Sequence, residues 1–94
     1  MSMMLQDRMN EISQVVIKKG YKMTVQRKIT VQIFLEHPNG HLSSKEVYFL
    51  AKVKYPDVGI ATIYRNLDLL TKIHIIEKTN FGNRLSFFDL CNEK

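Results

Sequence analysis

Four polar side chains set close together have the chemistry to read a nucleic acid. They are Thr62, Tyr64, Arg65 and Asn66, within Gly59-Ile60-Ala61-Thr62-Ile63-Tyr64-Arg65-Asn66-Leu67-Asp68-Leu69-Leu70. At helical spacing Ile60, Ile63, Leu67 and Leu70 fall on one side and would face a core. Thr62, Tyr64, Arg65, Asn66 and Asp68 are read as lying off that stripe, facing outward. An arginine so placed can bond guanine O6 and N7 as a bidentate pair, and a threonine or an aromatic ring can pack on a thymine methyl. An ordinary amphipathic surface helix shows the same pattern, so the flanking sequence has to decide between the two.

Charge favours the nucleic acid. The chain has 94 residues, enough for one domain with a modest core, and a formal net charge of +5. Lys18, Lys19, Lys22, Arg27 and Lys28 fall within eleven residues that contain no acidic side chain. Such a cluster is commonly a solvated face, but beside a reading helix it becomes a patch for phosphates. The single cysteine, Cys91, excludes an internal disulfide and a CxxC zinc pair. No apolar run approaches a membrane span, and Met1-Ser2-Met3-Met4-Leu5-Gln6-Asp7 lacks the basic-then-apolar pattern of a secretory signal. A cytoplasmic protein without a membrane partner is expected. Catalysis is not expected. His37, His41 and His74 have no nucleophile or carboxylate motif beside them, and Pro38 and Gly40 keep His37 and His41 off a shared helical face. Cys91 lacks the basic or helix-N-terminal setting of a reactive thiolate.

The elements that would hold these residues follow from local signals. A first helix is expected from Met4 to Lys19 with Leu5, Met9, Ile12, Val15 and Val16 inward, stopped by Gly20. Thr24 caps a second helix carrying Ile29, Ile33 and Phe34 on its apolar side. It ends near His37, because Pro38 cannot continue it and Asn39-Gly40 turns the chain. Ser43-Ser44-Lys45-Glu46 is a capping box opening a third helix, with Val47, Tyr48, Leu50 and Ala51 available for packing. Tyr55-Pro56-Asp57 breaks that helix before the fourth, expected over about 59–71. Ile75–Thr79 and Leu85–Asp89 then read as strands joined through Asn80-Phe81-Gly82-Asn83. The fold class is therefore mainly α with a small β-hairpin: a winged helix-turn-helix of three to four helices and a two-stranded wing over about 75–90. In that arrangement the last helix enters the major groove and the wing lies along the backbone or minor groove. Arg84 at the wing would meet a phosphate.

Three segments in order resemble the ferric uptake regulator family. Gly20-Tyr21-Lys22-Met23-Thr24-Val25-Gln26-Arg27 is similar to the family's G-x-(K/R)-x-T-x-x-R opening. His41-Leu42-Ser43-Ser44-Lys45-Glu46-Val47-Tyr48 is similar to its H-x-S-A-x-x-(I/L)-Y segment, and Ala61-Thr62-Ile63-Tyr64-Arg65-Asn66-Leu67 to its A-T-V-Y-R-x-L helix. The resemblance runs from about Lys18 to Leu90 and implies a sequence-specific, double-stranded DNA-binding domain of a metal-responsive repressor. The chain stops at Leu90-Cys91-Asn92-Glu93-Lys94, about where the family's H-x-H metal segment would be expected, so residues 1–94 would be either that domain alone, the reading favoured here, or a divergent short protein. The C-terminal dimerisation and metal-binding domain would then be absent, and a full-length parent would be a homodimer reading two half-sites.

By the same resemblance Tyr64 and Arg65 read base edges, while Ala61 and Thr62 bring a helix N-terminus close to a phosphate. Lys22 matches a position that reaches the minor groove, which suits an A-T-rich palindromic operator. His41 and Asp89 match regulatory metal ligands for Fe²⁺, Mn²⁺ or Zn²⁺ in a full-length parent; no cofactor is expected in these 94 residues alone. The chain departs from the family pattern at His74, where glycine is usual, so that either His74 accepts a left-handed backbone or the helix ends differently. Thr30-Val31 stands where Ile-Leu is typical, which would rotate the inward set of the second helix slightly. The competing function is a winged-helix protein-interaction module without DNA binding, with Tyr64 as its anchoring aromatic.

Overall fold

Helix boundaries fall where the sequence supplies caps. The computed structural model describes residues 2–38, 40–82 and 85–91. Four helices, α1 (Ser2–Lys18), α2 (Val25–Glu36), α3 (Ser44–Lys54) and α4 (Ile60–Lys72), precede two strands, β1 (Ile76–Phe81) and β2 (Leu85–Leu90). The order is that of a winged helix-turn-helix. Gly20 has φ +95°, and its N–H donates to Ile17 O at 2.9 Å while the Tyr21 N–H donates to Val16 O at 3.1 Å. These paired bonds are a Schellman motif closing α1. Thr24 Oγ1 accepts the Arg27 N–H at 3.2 Å. Both halves of the capping box form: Ser43 Oγ accepts the Glu46 N–H at 3.1 Å, and Glu46 Oε1 accepts the Ser43 N–H at 2.8 Å.

The helix α2 is the hub. Thr30, Val31, Ile33, Phe34 and Leu35 are all buried, because α1, α3, α4 and β2 all pack against it. Its inward set is therefore broader than an Ile29-Ile33-Phe34 stripe, and includes both residues of Thr30-Val31. Ile12 and Val16 of α1, Val47 and Ala51 of α3, Ile63, Leu67 and Leu70 of α4, and Ile76 and Phe88 of the strands join it in the core, with Leu42, Val58 and Ile73 from the connecting segments. Two inward expectations are corrected. Leu5 and Val15 are exposed, since α1 packs its backbone closely on α2 alone among the described elements and buries the narrower set Ile12 and Val16, with Met9 partly covered. Leu5 and Val15 instead line open clefts that Leu90 also borders. Ile60 is also exposed, because it opens α4 one turn before the first fully buried position, Ile63.

The wing is an antiparallel pair in register from Ile76↔Leu90 to Phe81↔Leu85. Its second strand is anchored from the other side by Leu42, whose N–H donates to Phe88 O at 3.0 Å and whose carbonyl accepts the Phe88 N–H at 2.7 Å. Among the described residues no helix is long and apolar enough to cross a membrane.

At the end of α4 the open choice at His74 resolves. His74 has φ +65°, its N–H donates to Thr71 O at 3.1 Å, and the Ile75 N–H donates to Leu70 O at 2.9 Å. This is the same Schellman geometry as at Gly20, with a histidine in the left-handed position. A non-glycine residue held there costs about 1–2 kcal/mol. His74→Gly is expected to raise stability by about 1 kcal/mol, a rise in Tm of roughly 4–8 °C for a domain of this size. A thermal melt followed by circular dichroism checks it; an unchanged Tm would show that His74 bears no strain.

Candidate nucleic-acid interface

The buried face of α4 dictates what its other face offers. With Ile63, Leu67 and Leu70 in the core, the helical repeat turns Ala61, Tyr64, Arg65 and Asp68 to solvent, and all four are exposed while Thr62 is half-buried. Asn66 does not join them. It is 4% exposed, and its Nδ2 donates to Thr30 Oγ1 at 3.3 Å. Its spacing explains this, for Asn66 lies three residues after Ile63 and four before Leu70, on the apolar stripe itself. The expectation of an outward Asn66 followed its polarity and is corrected by its position.

The N-terminus of α4 is bare. Gly59 caps it with extended backbone and no side-chain bond, and no atom lies within 4 Å of where a Cβ would sit. The first-turn N–H groups have no intrahelical partner, and residues 59–61 are exposed. Of the basic cluster, Lys22 is exposed, and its carbonyl accepts from Arg27 Nη1 at 2.7 Å. The Arg27 guanidinium thereby ties the Lys22 segment to the first turn of α2. Arg84 lies outside the described residues.

The wing borders the same surface. Tyr64 and Asp68 share a cleft of about 180 Å³ with Ser44, Leu67, Lys78 and Phe88, so α4, the start of α3 and the hairpin meet there. Lys78 Nζ stands 5.9 Å from the Phe88 ring centroid. Sequence reasoning did not single out Lys78; its only local signal is a cation in a strand, and its nearness to Tyr64 is a product of the fold.

His41 and Asp89, 48 residues apart, come together. Asp89 Oδ1 accepts the His41 backbone N–H at 3.1 Å, and Asp89 Oδ2 lies 2.7 Å from His41 Nδ1. His41 adopts φ +47° and its side chain is 69% exposed. The contact lies beside the Leu42–Phe88 bridge and helps fasten β2 to the segment leading into α3. Among the described residues no group of three or more His, Cys, Asp or Glu could hold a metal ion.

A helical body that presents the outer face of its last helix beside a two-stranded hairpin defines a winged-helix protein. Residues 18–94 match the sequence profile described as the ferric uptake regulator family, and the chain belongs to that family. The ferric uptake regulation protein of Bacillus subtilis (strain 168) is 42% identical over 89 residues, which cover 95% of this chain and 60% of that protein. The structure of the ferric uptake regulator from Francisella tularensis with iron matches with a TM-score of 0.74 at 28% identity, over 80% of this chain and 57% of that one. The Helicobacter pylori ferric uptake regulator, whose structure reveals three functional metal binding sites, matches with a TM-score of 0.80 over 96% of this chain and 59% of that one. At 21% identity that likeness shows the fold. The chain thus spans about three-fifths of the length of these relatives, which are regulators rather than enzymes.

The double contact of Asp89 with His41 gives a direct test. In Asp89→Ala the His41 amide loses its acceptor, and its hydrogen exchange is expected to accelerate while the Leu42 amide, bonded to Phe88, stays protected. Unchanged exchange at His41 would show that the carboxylate does not hold this segment in solution.

Proposed function

We propose that this chain binds double-stranded DNA sequence-specifically, as the DNA-reading domain of a metal-responsive repressor of the ferric uptake regulator family. The observation that carries this reading is the pairing of exposed Tyr64 and Arg65 with a bare N-terminus on one helix whose back is sealed in the core. The net charge of +5 supplies the attraction for a polyanion. Arg65 reads guanine in the major groove and Tyr64 packs on thymine methyls. Ala61 and Thr62 offer their N–H groups to a phosphate. Lys22, steadied by Arg27, reaches the minor groove of an A-T-rich palindromic operator, and Lys78 and Arg84 meet the backbone from the wing. Asn66 is withdrawn from this set. The parent acts as a cytoplasmic homodimer, two copies reading two half-sites.

His41 and Asp89 fit a share of a regulatory metal site. An imidazole nitrogen and a carboxylate oxygen already converge at 2.7 Å on an exposed edge, and that mixed donor set suits Fe²⁺, Mn²⁺ or Zn²⁺. Further donors would come from elsewhere in a full-length protein. A bound cation would supply a cross-link between this domain and whatever carries those donors. The second reading, a protein-interaction module without DNA binding, is favoured by Phe49 and Val53, 60% and 82% exposed one turn apart on α3.

Fluorescence anisotropy on an A-T-rich palindrome and a scrambled duplex, across a salt series, separates the two. The palindrome is expected to bind more tightly, and Arg65→Ala to cost about 1–3 kcal/mol on it, the worth of one bidentate base contact. Tyr64→Ala should also erode the preference, and Lys22→Ala should weaken both duplexes and lower the salt slope by about 1. Equal binding to both duplexes, indifferent to Tyr64 and Arg65, would refute base reading by α4.

A further inference from the structure

We propose that Asn66 and Thr30 are a positioning pair that sets the rotation of α4, and through it the base selectivity of Tyr64 and Arg65. The inference rests on the DNA-reading function proposed above. Among the described residues, Thr30 (0% exposed) and Asn66 (4%) are the buried polar side chains, and they lie against each other in an otherwise apolar seam between α2 and α4.

The direction of the bond is fixed by proton counting. A threonine hydroxyl has one proton, and that of Thr30 goes to Gln26 O at 2.8 Å. Toward Asn66 it can only accept, so the amide of Asn66 must turn Nδ2 to α2, as found at 3.3 Å. A relay therefore runs from Asn66 Nδ2–H through the Thr30 hydroxyl to the backbone of the first turn of α2. That turn is capped by Thr24 and carries Arg27, which in turn holds the Lys22 carbonyl. At the other end Asn66 is the immediate neighbour of Arg65. Hydrogen bonds from Asn66 to Thr30 to Gln26 and from Arg27 to Lys22, joined by the covalent steps Arg65-Asn66 and Gln26-Arg27, thus connect the outward face of α4 to the basic segment.

The seam needs such a device. Apolar burial is non-directional and does not by itself fix the last degrees of a helix's rotation about its own axis. A 20° turn of α4 would carry atoms on its surface, about 5–6 Å from the axis, through about 2 Å, enough to break a hydrogen bond to a base edge. An unpaired amide in this seam is penalised, so the relay leaves one rotational setting favoured. A single buried asparagine fixes register in coiled coils in the same way. An apolar pair of similar shape would keep the fold but lose that selection.

Thr30→Val, Thr30→Ser and the double variant Thr30→Val/Asn66→Leu test the role, with Tm, salt slope and the scrambled-to-palindrome ratio of Kd measured for each. The double variant is expected to melt at the original temperature or above it, with its salt slope unchanged. Its Kd ratio should fall about tenfold, the scale of one lost base-pair contact. Thr30→Val, which keeps the shape of the side chain, should lose the same preference, and Thr30→Ser, which keeps the hydroxyl, should retain it. If Thr30→Val and the double variant both discriminate as the original chain does, the pair is structural alone and the inference falls. If the original chain itself does not discriminate, the DNA-reading function falls and takes the inference with it.

Discussion

Ile63, Leu67 and Leu70 retain 0%, 1% and 0% of their surface, and α4 cannot roll on its axis without returning that apolar area to water. Re-exposing three such side chains costs roughly 5–9 kcal/mol, comparable with the whole stability of a small domain. Burial is non-directional, however, and fixes which face goes inward more firmly than the last few degrees of rotation. The seam of α4 on α2 also contains a directional bond, from Asn66 to Thr30, to which the proposal above assigns those last degrees. The outward aim of Tyr64 and Arg65 is the geometric remainder of that inward commitment. Nothing has to hold them out individually.

The same frame places the other parts of the surface. Because α2 is packed from α1, α3, α4 and β2 together, its first turn and the Lys22 segment that Arg27 ties to it are fixed relative to α4. The wing is fixed by a different means. Phe88 enters the core, Leu42 pairs with its backbone, and Asp89 closes on His41. Lys78 is thereby carried to the cleft beside Tyr64. Three exposed elements from distant parts of the chain therefore share one rigid support, as the proposed binding to a duplex with fixed groove and backbone spacing would require. The His41–Asp89 contact also lies where the wing joins the helical body.

What could be read before the structure was local in origin. Gly20, Thr24 and the Ser43–Glu46 box are caps whose partners lie within four residues, and each forms. The outward positions of Tyr64 and Arg65 followed from spacing alone. Asn66 was misplaced because its polar identity outweighed a position squarely on the apolar stripe. Leu5 and Val15 could not be ranked against Ile12 and Val16, since α1 packs closely on α2 alone and the width of its buried face depends on that neighbour. The pairing of Leu42 with Phe88 involves one residue on one side, too few for any alternation to show. Lys78 lines one cleft with Tyr64 only through the hairpin's docking, a proximity with no local signature. The left-handed backbone at His74 was foreseeable as a choice, and the bonds of Thr71 and Leu70 decided it.

The most direct measurement is a two-dimensional ¹⁵N–¹H spectrum of the chain titrated with an A-T-rich palindromic duplex at constant salt. The account predicts the largest amide shifts at Ala61, Thr62, Tyr64 and Arg65, with smaller ones at Lys22 and Lys78 and little change at Phe49 and Val53 on α3. Shifts concentrated at Phe49 and Val53, or spread evenly while α4 stays unmoved, would contradict it and turn attention to the exposed apolar face of α3 as the working surface.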